Sequence, residues 1–104
     1  MNQFIMLKFL LDEHTECYAK KLLELHHEVE YVKQLRKQDE KFRNDLNVAL
    51  HAKATGMIII TKDGEAGQAC EDNEISCIWI NDERIFEEMI LPRLDELKSR
   101  NSKM

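Results

Sequence analysis

The sequence predicts a small α/β domain: a doubly wound, mainly parallel four-stranded sheet of strand order 2-1-3-4, with helices on both faces. Three observations point there. Phe4–Leu11 and Met57–Thr61 are near-continuous apolar runs, the signature of strands covered on both faces. Segments with helical spacing alternate with these and with two shorter strand-like runs, the pattern of right-handed βαβ units. Only three Gly and one Pro occur in 104 residues, so no flexible linker divides the chain and residues 1–104 read as one domain.

Taken in order, the first strand, Phe4–Leu11, is followed from Thr15 by a helix whose apolar residues Tyr18, Leu22, Leu25 and Val29 recur at helical intervals. Val29–Val32 clusters β-branched residues around Tyr31 and reads as the second strand. A basic stretch, Lys33–Arg43, reads as a solvated loop leading into a helix over residues 44–55. Leu46, Ala49 and Leu50, with Lys53, lie along the faces of that helix. Asn44 is a good N-cap and Gly56 a good C′ residue, so both ends have a physical reason. After Met57–Thr61, a turn at Lys62-Asp63-Gly64 precedes a short helix over residues 65–71. Ile75–Ile80 is the fourth strand. Asn81 or Asp82 then caps a final helix with an expected core face of Ile85, Met89, Ile90, Leu94 and Leu97, kinked or divided at Pro92.

Composition removes several classes. With 43% hydrophobic and 34% charged residues the chain has enough apolar material for one core. No apolar run approaches the roughly 18 residues that span a bilayer. The N-terminus lacks a basic, then long apolar leader, so no membrane partner and a cytoplasmic location are expected. Cys17, Cys70 and Cys77 are odd in number and lack Cys-x-x-Cys spacing, which favours free thiols over a zinc or redox motif. The net charge of −5 argues against a protein held on nucleic acid by a basic surface. That charge is uneven, however: residues 1–62 carry 9 acids and 10 bases, residues 63–104 carry 11 acids and 5 bases.

Both central strands end in acid, at Asp12-Glu13-His14 and at Asp63. In a parallel sheet of this order the two carboxyl ends meet at the switch point, where such folds bind ligands. Asp45, in the first turn of the helix after Asn44, joins them if the preceding loop stays on the carboxyl side. Several carboxylates in one place repel one another unless a cation neutralises them. An all-oxygen site suits Mg²⁺ or Mn²⁺, metals that activate water and offset phosphodiester charge. Polar loops and helix capping account equally for acids at these positions.

Asp12-Glu13-His14 behind an apolar strand, Asn44-Asp45 opening a helix that ends at Gly56, and Ile58-Ile59-Ile60-Thr61-Lys62-Asp63 together resemble the small PIN-like nuclease domains. These include toxin-type proteins related to VapC. The resemblance spans about residues 6–97. It implies a Mg²⁺- or Mn²⁺-dependent ribonuclease, the toxin of a toxin–antitoxin pair, with RNA as substrate, an antitoxin protein as partner and a homodimer open. It further implies Asp12, Asp45 and Asp63 as catalytic metal ligands, with Thr61, two residues before the last, as a candidate for binding substrate. Where the family often has Asp-Phe, this chain has Glu65-Ala66, so Glu65 is the candidate fourth ligand. Lys62, Arg43 and Lys41 flank the acids and are candidates for holding the RNA backbone, as is His14 beside Asp12. His26-His27 reads as a surface or partly buried pair, and Trp79 as a core residue. Two alternatives stand beside the nuclease: a PIN-like binding module without turnover, and a receiver-like phosphoacceptor domain. The second fits poorly, since it wants five strands and a lysine after the fifth.

Overall fold

The computed structural model describes residues 5–102. Its centre is β1 (Lys8–Leu11) and β3 (Ile58–Thr61), paired in parallel with Leu10 beside Ile59 and Leu11 beside Ile60. β2 (Glu28–Tyr31) flanks β1 and β4 (Cys77–Trp79) flanks β3, both parallel, giving the expected order 2-1-3-4.

The helices lie on both faces. On one, α1 (Ala19–Glu24), entered through a 3₁₀ turn at Glu16–Tyr18, covers Phe9, Leu11 and Ile60 with Ala19, Tyr18 and Leu22. On the other, α2 (Val32–Gln38), α3 (Asp45–Thr55) and α4 (Gly64–Asp72) enclose Leu10 and Ile59 with Val32, Leu35, Val48, Ala52 and Cys70. The two central strands are therefore buried on both sides, while β2 alternates, exposing Glu28 and Glu30.

The caps behave as their residue types require. Asn44 Oδ1 accepts from the N–H groups of Leu46 (2.8 Å) and Asn47 (3.3 Å). Gly56 ends α3 in the left-handed region at φ 70°. Asn81 caps α5 (Asp82–Ile85), which continues through a π-helical turn at Phe86–Ile90 into α6 (Leu91–Ser102). The π turn stands immediately before Pro92, whose ring and missing N–H disturb regular α hydrogen bonding there.

Five expectations need correction. The first strand starts at Lys8; Ile5–Leu7 are exposed and outside it, and Phe4 lies outside the described residues. Val32 belongs to a helix, so the second strand is Glu28–Tyr31. The basic stretch is largely helical: α2 is followed by a 3₁₀ turn, Glu40–Arg43, capped by Asp39. Its only helical signal is the pair Val32 and Leu35, both buried, among good helix formers. The fourth strand is confined to Cys77–Trp79, with Ile75 buried ahead of it. α3 buries Val48, Ala49 and Ala52, and Leu46 and Leu50 are exposed. Apolar residues occur around its whole circumference, and the small ones allow closest approach to the sheet. The fifth concerns the final helix: Met89, Ile90, Leu94 and Leu97 are exposed instead of forming a core face. That run gives the molecule extents of 61 × 35 × 24 Å and a radius of gyration of 17.0 Å, against about 13 Å for a compact chain of this length.

His27 is part-buried: its Nδ1 accepts from the Leu7 N–H at 3.0 Å and its ring meets Phe9 edge-on. Trp79 is half-buried against α4, so close to Gly67 that a Cβ there would fall 2.2 Å from the indole. The three cysteines are free thiols; burial, then Cys70, pushes the Cys77 thiol up to about 12. Among the described residues no helix is long and apolar enough to cross a membrane.

Candidate functional site

The carboxyl ends of β1 and β3 are tied together by a network around Asp12. Thr61, fully buried at the end of β3, donates its hydroxyl to Asp12 Oδ2 at 2.6 Å. The same oxygen of Thr61 accepts the Asp63 N–H at 3.0 Å. Asp12 Oδ1 accepts the N–H groups of His14 (2.9 Å) and Thr15 (3.1 Å), the local turn that Asp favours. Thr15, also fully buried, donates to the Ile60 carbonyl at 2.8 Å and accepts the Asp12 N–H at 3.1 Å. Asp12 is thereby held in one orientation by three donors from two strand ends.

The other acids arrive from separate elements. Asp63 caps α4, its Oδ1 accepting the Glu65 N–H at 2.8 Å. Asp45 opens α3, where Asn44 takes over the capping and leaves the Asp45 side chain for Arg36, whose Nη2 stands 3.4 Å from Asp45 Oδ1. Arg36 is itself anchored, its Nε donating to the Phe42 carbonyl at 2.9 Å. Burial and then the charge of Asp63 raise the Asp45 carboxyl above its ordinary value; Arg36 works against this and Asp12 adds to it.

Asp12, Asp45 and Asp63 line one pocket of about 120 Å³, together with Glu13, His14, Arg36 and Thr61, over an apolar floor that includes Val32, Val48 and Ile59. Among the candidates named from the sequence, the fold thus brings together the three aspartates, Thr61 and His14. Glu65 is exposed and does not line the pocket; Ala66 does. Lys62 is exposed, its ammonium 5.6 Å from the Tyr18 ring, and Arg43 is exposed at the end of the 3₁₀ turn; neither lines the pocket.

Two residues escaped the sequence reading. Thr15 was visible only as the last residue of an Asp-x-x-Thr turn, a common local pattern. Arg36 was one of five bases in the basic stretch, and only the helical turn of α2 selects it.

The donor set is entirely oxygen, which fits a hard divalent cation in kind. Among the described residues, however, no three His, Cys, Asp or Glu side chains stand close enough to hold a single ion. Within the pocket Arg36 offsets one carboxylate, Asp45, and hydrogen bonds hold Asp12, while Glu13 and Asp63 leave the lining net acidic. Compared with protein-family models, curated proteins and solved structures, the chain finds no match.

Proposed function

We propose that this pocket is the active site of a PIN-like, Mg²⁺- or Mn²⁺-dependent ribonuclease that hydrolyses RNA phosphodiesters. The observation that carries the reading is the convergence of Asp12, Asp45 and Asp63, from the ends of two strands and the start of a helix, on one pocket. Such cations need only one or two protein carboxylates, the remainder being water and substrate phosphate, so a cage of three side chains is not required. Asp12, Asp45 and Asp63 would hold the ion. A bound cation supplies charge neutralisation at the phosphate and a more acidic water.

The chain's own groups do the rest. Thr61 and the His14 and Thr15 amides fix the Asp12 carboxylate in one orientation. Arg36 pairs with Asp45 and would offer its fork-shaped guanidinium to a substrate phosphate in the pocket. His14 stands at the pocket wall. Lys62 and Arg43, outside it, serve phosphates further along the strand. By the same resemblance, the biological role is toxin of a toxin–antitoxin pair, its antitoxin encoded nearby.

Cleavage of single-stranded RNA with Mn²⁺ tests the reading. Wild type cleaves, whereas Asp12→Asn and Asp63→Asn lose at least about a hundredfold, of the order expected when charge stabilisation is removed. Equal cleavage by all three would mean a contaminant. The second reading, a binding module without turnover, is favoured by the Arg36–Asp45 pair, which offsets one of the acids without a metal. Calorimetric titration with Mn²⁺ separates the two: no heat at millimolar metal selects the binding module.

A further inference from the structure

The helical run from Asp82 to Ser102 carries six of the fourteen exposed large apolar residues among the described residues. Phe86, Met89, Ile90, Leu91, Leu94 and Leu97 are between 39% and 67% exposed, and no residue from 86 to 101 is buried. Phe86, Ile90, Leu94 and Leu97 follow one another at intervals of 4, 4 and 3, the spacing of a single helical stripe. At about 200 Å² for a fully exposed large apolar residue, these six leave on the order of 500 Å² uncovered, the size that marks an interaction surface. With its polar margins the run approaches the roughly 800 Å² per partner of a stable complex.

Charge selects the occupant. Residues 82–90 hold four acids and one base, and residues 91–102 hold three bases and two acids. Laid parallel, two such runs set acid against acid. Laid antiparallel, each acidic half meets a basic half, twice over, which is the self-complementarity of a two-fold interface. We propose that this run pairs antiparallel with the same run of a second copy, with Ile90 near the two-fold axis, to form a homodimer. The pairing is independent of any chemistry in the pocket.

Light scattering during size-exclusion chromatography of the full chain, at high micromolar concentration, tests it. Wild type elutes with twice the 12.3 kDa chain mass. Ile90→Glu, at a site already 44% exposed, elutes at the chain mass with unchanged far-ultraviolet circular dichroism. Making both halves acidic with Lys98→Glu and Arg100→Glu weakens self-association about tenfold. Adding Glu83→Lys and Glu87→Lys, which reverses the polarity of the whole run, restores it. A monomeric wild type overturns the proposal and leaves the stripe to a different protein. A dimer indifferent to Ile90→Glu overturns it in favour of another face, and failure of the four-residue reversal to restore pairing overturns the antiparallel arrangement.

Discussion

The hydroxyl of Thr61 bonds both the Asp12 carboxylate and the Asp63 amide, and removing it tests how the two strand ends are joined. In Thr61→Val the shape is kept, but Asp12 loses a 2.6 Å donor and the Asp63 N–H loses a 3.0 Å acceptor. A hydrogen bond to a charged group contributes about 1.5–3 kcal/mol. The Asp63 amide lies at an exposed residue, so water recovers part of its loss. The expected cost is about 2–3 kcal/mol, or a fall in Tm of roughly 10–20 °C for a domain of this size. Thr61→Ser keeps the hydroxyl and loses one buried methyl, costing about 1 kcal/mol. Urea unfolding of both variants measures the difference, and a double-mutant cycle with Asp12→Ala isolates the pair, whose coupling should exceed about 1 kcal/mol. If the Val variant is as stable as the Ser variant, or the coupling is near zero, the hydroxyl does not tie the strands and the account of the site fails.

The Asp45 carboxyl is raised above 3.8 in the folded chain, first by burial and then by Asp63. The folded state therefore holds that proton more tightly than the unfolded one, and the ionised group is a penalty present above its folded value. Asp45→Asn removes it: the variant melts higher than wild type at neutral pH, and thermal melts show the advantage shrinking as pH falls towards 3.8. Gly67→Ala drives a Cβ into the Trp79 ring and costs about 1–3 kcal/mol in chemical denaturation. In a Trp79→Leu background the clash is gone, and the better helix propensity of Ala in α4 reduces or reverses the cost, by up to about 1 kcal/mol in favour of Ala. Asn44→Ala removes the acceptor for the Leu46 and Asn47 amides and lowers stability by about 1 kcal/mol, also read by urea unfolding.

Much of this molecule was readable because its signals are local. A buried strand must be apolar along its length, and Asn44 and Gly56 satisfy helix ends whatever surrounds them. The alternation of elements then leaves few sheet orders, and the observed one follows. Asp12 and Asp63 were readable as neighbours for the same reason, since parallel strands carry their carboxyl ends to one edge. The basic stretch was misread because two apolar residues, Val32 and Leu35, are too few to establish a period. With α2 unseen, Arg36 could not be distinguished from Lys33, Lys37, Lys41 or Arg43, and the bases expected to hold RNA, Lys62, Arg43 and Lys41, do not line the pocket.

The final helix marks the boundary between the two kinds of information. Its periodicity and its N-cap at Asn81 are properties of the sequence, and both appear in the structure. An apolar stripe states that a surface prefers to leave water; it does not name what covers it. Here the sheet holds four strands, and Phe86, Met89, Ile90, Leu91, Leu94 and Leu97 are exposed among the described residues. The pocket obeys the same division. Sequence determined that acids stand at the strand ends, while the fold alone decided that Arg36 faces Asp45 and that Thr61 bridges to Asp12. Those contacts join residues 9 and 49 positions apart, and their geometry follows from packing that no local pattern encodes.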